Sequence, residues 1–124
     1  MLVLFDTNIL IDIEKGHEKT IEKLRELSRQ FLNSRPAISW ANYFEFYFGN
    51  ETEEARNFLG RFIFMEMDKK ATEIFVELKK RKLEVSDFDL LIASVSIANG
   101  AMLVTKDKDF RKINGLNLRL LDEE

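Results

Sequence analysis

Short, wholly apolar runs alternate along this chain with longer stretches in which large apolar residues recur at helical spacing. Leu2-Val3-Leu4-Phe5 is a run of the first kind, continuous in apolar character as a parallel strand buried on both faces is. Thr7 or Asn8 suits the cap of a helix over residues 9–14, which Gly16 ends. Ile21, Leu24, Leu27, Phe31 and Leu32 then mark one face of an amphipathic helix over 18–33. Pro36 sets a boundary before a second strand, Ala37-Ile38-Ser39, and a helix over 40–48 stops at Gly49. A polar helix over 52–59 precedes a third strand over 62–65. Ala71, Ile74, Phe75 and Leu78 predict a helix over 69–83. Ser86 opens a nearly all-apolar helix over 87–98, closed by Asn99-Gly100. Met102-Leu103-Val104 reads as a fourth strand, 108–113 as a short helix and 118–121 as a fifth strand. Strands alternating with helices predict right-handed crossovers, hence a three-layer α/β/α fold with helices on both faces of a five-stranded parallel sheet. No repeat, low-complexity tract or linker divides the chain, so residues 1–124 read as one domain.

Composition removes several chemistries. There is no cysteine among the 124 residues, which excludes disulfides, zinc–thiolate sites and thiol nucleophiles and suits a reducing, cytoplasmic setting. No run approaches the ~20 apolar residues of a membrane span, and no secretory signal is visible. With a single histidine, His17, a metal-free nuclease using two histidines as acid and base is not available. His17 itself lies in the polar stretch Gly16-His17-Glu18-Lys19 and reads as solvated. The net charge of −3 means that a polyanion would have to be held by local basic patches or by a bound metal.

Four carboxylates stand out against this background. Asp6 ends the first apolar run, and Asp107 follows the fourth strand. Asp89 lies in the first turn of the apolar helix, with Asp87 as its competitor. Glu45 sits between Phe44 and Phe46 with no cation at helical spacing, its neighbours there being Ala41, Asn42, Phe48 and Gly49. Each position has a bland reading. Asp6 in Asp6-Thr7-Asn8 suits a cap or turn, Ser86 with Asp89 resembles a capping box, and Asp107 suits a turn, as does its competitor Asp109. In a parallel α/β fold, however, strand ends and helix starts meet at one edge of the sheet. Converging carboxylates repel unless a positive charge lies between them, and the economical one is a hard divalent cation such as Mg²⁺ or Mn²⁺. Thr105 suits a hydrogen bond to a ligating carboxylate, and Asn8 a similar supporting place.

Taken in order, these residues resemble the PIN-domain nucleases. That family carries Asp-Thr-Asn after the first strand, here Asp6-Thr7-Asn8, and a helical Glu followed four residues later by Gly, here Glu45 and Gly49. It carries Asp-x-x-Ile-Ala, here Asp89 to Ala93, and Thr-x-Asp-x-x-Phe after a strand, here Thr105 to Phe110. The size is similar to that of VapC toxins. The resemblance implies Asp6, Glu45, Asp89 and Asp107 as catalytic and metal-holding residues, with Asn8 and Thr105 supporting them. It also implies cleavage of single-stranded RNA with Mg²⁺ or Mn²⁺, a homodimer, and a small antitoxin protein as partner. Two features depart from the pattern: the stretch between Glu45 and Asp89 is short, and Ser94 replaces a second alanine.

Lys106, Lys108, Arg111 and Lys112 flank the fourth acidic residue and are the candidate RNA phosphate contacts. Lys79-Lys80-Arg81-Lys82 reads as dipole complementation at a helix end. Trp40, Tyr43, Phe44, Phe46, Tyr47 and Phe48 project at too many angles for one buried stripe, which predicts an exposed apolar patch and self-association. Two rival readings remain. One is a receiver-type phospho-acceptor domain with Asp68 as acceptor; the other is a catalytically inactive PIN-like binding module.

Overall fold

The apolar runs become the strands of one parallel sheet. The computed structural model describes residues 1–121. In chain order it contains β1 (Leu2–Phe5), α1 (Thr7–Lys15), α2 (Glu18–Gln30), β2 (Arg35–Ser39), α3 (Trp40–Phe48) and α4 (Glu53–Leu59). Then come β3 (Ile63–Met65), α5 (Lys69–Lys80), α6 (Asp87–Ala98), β4 (Met102–Thr105), a 3-10 turn at Lys108–Lys112 and β5 (Leu118–Leu120). All neighbours pair in parallel, in the order β3-β2-β1-β4-β5. Alternation along the strands splits the core between the two faces. Leu4, Ala37 and Leu103 meet α5 and α6 through Ala71, Leu78, Leu90, Ile92 and Val95. Val3, Met102 and Val104 face Ile9 and Leu27 on α1 and α2. Leu10, Ile38, Phe46 and Leu59 bind α3 and α4 to the rest. The receiver reading fails here: that fold orders its strands 2-1-3-4-5, whereas Asp68 lies beyond the edge strand β3 and caps α5 by accepting from Ala71 N at 2.9 Å.

The helix boundaries differ from the sequence expectations for reasons that lie in tertiary packing. Helix α1 starts at Thr7 because Asp6, and not Thr7 or Asn8, is its cap. Gly16 ends it in a left-handed conformation, φ 72°, that glycine adopts without strain. Helix α2 stops at Gln30, short of 33. Phe31 turns out of the helix to pack beside Val3 and Leu27, and Asn33 takes a positive φ of 66°. Helix α5 stops at Lys80, short of 83, since the chain must turn at Lys82 (φ 53°) to bring Leu83 and Val85 back onto the core. Pro36 lies inside β2 and not at its boundary. The β2–β3 ladder begins only at Ala37, so the proline's missing N–H costs no hydrogen bond there. His17 also does more than expected: it caps α2, its Nδ1 accepting from Thr20 N at 3.3 Å.

Candidate active site

The sheet order places one crevice above all others. The connection from β1 runs to β2 on one side, whereas β4 lies on the other, so the direction of winding reverses between β1 and β4. In open α/β sheets, ligands bind beyond the carboxyl ends of the strands at such a point. Asp6 follows β1 there, its N–H donating to Val104 O at 3.0 Å. Thr105 ends β4, and Asp107 stands two residues beyond it.

Asp6 is buried and is the hub of the site. Its Oδ1 accepts from Thr7 N at 2.8 Å and Asn42 Nδ2 at 3.4 Å. Its Oδ2 accepts from Thr105 Oγ1 at 2.6 Å and Asn8 Nδ2 at 3.4 Å. A carboxylate has about four lone-pair positions, so all are engaged, two of them only by long contacts. Asn8 also ties down the β4 loop, donating to Thr105 Oγ1 at 3.3 Å and accepting from Lys106 N at 3.3 Å. Asp107 N donates to Thr105 Oγ1 at 3.0 Å, while Asp107 Oδ1 accepts from Asp109 N at 2.9 Å. Glu45 is exposed at the rim and accepts from Thr7 Oγ1 at 2.6 Å.

The four acids feel one another. Burial pushes the Asp6 carboxyl above its ordinary value, hydrogen bonds from Thr105 and Thr7 oppose this, and Glu45 and Asp107 add repulsion. Asp89, in the first turn of α6, is pushed up to about 6, first by burial and then by repulsion from Asp6 and Asp107, with Glu45 adding to it; the hydrogen bond with Ser86 acts the other way. The competitors are turned elsewhere. Asp87 is exposed and pairs with Lys79 at 2.9 Å, and Asp109 pairs with Lys112 at 3.5 Å. The structure thus gathers Asp6, Glu45, Asp89 and Asp107, and leaves Asp87 and Asp109 on the surface.

The sequence profile of the PIN domain matches residues 3–116, nearly the whole chain. The chain belongs to the PIN-domain family. It is 30% identical over 136 aligned positions to ribonuclease VapC2 of Rickettsia felis, covering 99% of this chain and all of that one. Among solved structures it is similar to the VapBC2 complex of Rickettsia felis bound to a promoter DNA fragment, with TM-score 0.77, 29% identity, and 98% of this chain and 100% of that one covered. It is also similar to VapBC-1 of nontypeable Haemophilus influenzae, with TM-score 0.78, 25% identity, and 97% and 98% covered.

The donor set of this PIN domain suits a hard divalent cation. Carboxylate oxygens dominate it, and a cation would relieve the repulsion that, after burial, adds to the rise of Asp6 and Asp89. As the side chains stand, no group of three or more Asp, Glu or His among the described residues encloses an ion. The reason is visible at Asp6, whose oxygens face four donors.

The basic residues divide. Lys108 and Arg111 are exposed. Lys106 is ion-paired with Asp12 of α1, and Lys112 donates to Glu84 O at 3.1 Å. Burial pushes the Asp12 carboxyl up, but hydrogen bonds from Lys106 and Thr20 outweigh it and hold it below its usual range. The sequence reading missed Thr7 and Asn42 as site residues. The signal available for Asn42 was Ser39-x-x-Asn42, a capping-box spacing that begins where a strand ends; the structure contains that box.

Proposed function

We propose that this chain is a metal-dependent endoribonuclease that hydrolyses phosphodiester bonds in single-stranded RNA, and that it is the toxin of a toxin–antitoxin pair. The observation that carries the proposal is the convergence of Asp6, Glu45, Asp89 and Asp107 at the switch point of the sheet, two of them held above their ordinary pKa. Similarity to ribonuclease VapC2 and to VapBC complexes supports the substrate class and the antitoxin partner. In this reading Asp6, Asp89 and Asp107 hold Mg²⁺ or Mn²⁺, with Glu45 ligating or orienting the nucleophile. The ion supplies charge neutralisation at the phosphate and a lowered pKa for the attacking water. Glu45, exposed and steadied by Thr7, would be available to orient that water. Thr105 and Asn8 keep Asp6 oriented. Lys108 and Arg111 are available to phosphates, with Lys106 and Lys112 beside them. The chain's net charge of −3 makes such a local patch necessary.

The test is cleavage of a single-stranded RNA by the purified chain with Mg²⁺ or Mn²⁺ and with EDTA. The expected products carry a 5′-phosphate and a 3′-hydroxyl, and EDTA stops the reaction. Cleavage that is undiminished by EDTA would overturn the metal mechanism, and no cleavage with either ion the enzymatic reading.

The same reading includes a homodimer. Phe44, Phe48 and Phe64 are 46%, 70% and 48% exposed, and Phe44 stacks on Phe48 at 5.4 Å. Trp40, Tyr43 and Phe88 pack around them. A patch of this kind is costly to leave in water, and a two-fold contact covers it with a second copy of itself. Light scattering is expected to give about twice the chain mass of 14.6 kDa, and Phe48→Glu to return it toward the single mass. A wild-type monomer at tens of micromolar, roughly tenfold above a ~1 μM dissociation constant, rejects the dimer.

A further inference from the structure

Asn42 is among the most completely buried polar side chains of the fold, with 0% exposure, and lies one turn of α3 before Glu45. Its Oδ1 accepts from Ser39 N at 3.1 Å and from Ser39 Oγ at 2.8 Å. Those two donors orient the amide, so Nδ2 must point away from Ser39. It points at Thr7 Oγ1, 3.2 Å away, and at Asp6 Oδ1, 3.4 Å away. Two acceptor positions and two N–H groups are all a side-chain amide has, and all four are used.

The consequence falls on Thr7. A threonine hydroxyl has one proton to give. With Asn42 Nδ2 donating to Thr7 Oγ1, that oxygen is an acceptor on one side and its proton is committed to the other. The proton goes to Glu45 Oε1 at 2.6 Å. Glu45 is exposed and has no cation at helical spacing, so this bond is what restrains a side chain with three rotatable torsions.

We propose that Asn42 is a positioning residue for the acidic site, acting through Thr7 to orient Glu45 and directly to steady Asp6. It thereby couples the cap of α3 to the cap of α1 and sets the spacing of two acids that lie 39 positions apart in sequence. The inference rests on the nuclease reading above. It concerns Asn42, a residue outside both the acidic motifs and the basic patch.

The experiment is a double-mutant cycle on single-turnover RNA cleavage with the full chain. Asn42→Ala and Thr7→Val are each expected to lower kcat by roughly tenfold to a hundredfold, the range for a misplaced catalytic group, while KM stays within about twofold. The two losses should not multiply: the double variant should match the worse single one, because both break one chain of hydrogen bonds. Asn42→Asp keeps the acceptor facing Ser39 but loses the donor to Thr7, and should also lose kcat. Thr52→Ala, which removes the cap of α4 and no hydrogen bond to the acids, controls for lost stability alone and should cleave like wild type. Mn²⁺ affinity, read by calorimetry, is expected to fall in Asn42→Ala. Multiplicative losses, or a folded Asn42→Ala with wild-type kcat, would overturn the inference. If Asn42→Ala does not fold, Thr7→Val decides: wild-type kcat there also overturns it. A wild-type chain that leaves RNA intact overturns the nuclease reading instead, so the two failures are distinct.

Discussion

Asp89→Asn is expected to abolish RNA cleavage and, at the same time, to raise the melting temperature of the metal-free protein. The loss of activity should reach about a thousandfold or more, since a metal site contributes several kcal/mol of charge stabilisation and ~1.4 kcal/mol is a factor of ten. The gain in stability has a separate origin. Asp89 is held at about 6 against an ordinary 3.8, by burial first and then by Asp6 and Asp107. That difference corresponds to about 3 kcal/mol for a fully shielded group, and to roughly 1 kcal/mol for this half-buried one after screening by solvent. A neutral amide escapes the penalty, so near pH 7 the variant should melt about 4 °C higher. Thermal melts in EDTA and an RNA cleavage assay on the same preparation check both halves. An active variant would remove Asp89 from the site, and a less stable one would remove the repulsion argument. Asp6→Asn should lose activity equally but show no such gain. Four donors point at the Asp6 carboxylate, and an amide would turn an N–H toward some of them.

Divalent metal should change both the height and the pH profile of stability. In the folded metal-free chain Asp89 keeps its proton up to about pH 6, whereas in the unfolded chain it loses it near 3.8. Folding therefore takes up a proton between those values. The stabilisation is fully present below pH 3.8 and is lost as pH rises through about 6. Asp6, raised in the same sense, adds to the fall. Mg²⁺ or Mn²⁺ binds the ionised carboxylates, so the loss should shrink or reverse once the ion is present. At a hundredfold excess over its dissociation constant an ion adds about 2.7 kcal/mol, or roughly 10 °C. Melting curves from pH 4 to 8, in EDTA and in millimolar metal, give the comparison. Superimposable profiles would argue against a metal site at these residues.

Strands β1, β3 and β4 were legible because each is almost wholly apolar, and the helices because their apolar residues keep a period. Helix ends were less so. Phe31 leaves α2, and Leu83 leaves the path of α5, to reach core positions that exist only once the sheet is assembled. The same divide runs through the site. The acidic residues showed themselves by standing at strand ends and in an otherwise apolar helix. Their supports did not. Thr7 and Glu45 lie 38 positions apart, and helical spacing reveals only neighbours three or four away. Lys106 read as a phosphate contact because nothing local shows that Asp12, on the first helix and 94 positions earlier, stands opposite it.

Asp6 carries two duties, capping a helix and standing at the centre of the acidic cluster proposed to be catalytic. Its loss therefore damages folding as well as chemistry. Glu45, held at the rim by a single hydrogen bond, and Asp89, which its surroundings would rather have uncharged, carry no such double load. If cells were selected for survival against this chain, intact but silent proteins should accumulate changes at Asp89 and Glu45. Changes at Asp6 should be found mainly among chains that are cleared before they accumulate. The mutational spectrum of escape would then separate the residue that builds the domain from those that merely arm it.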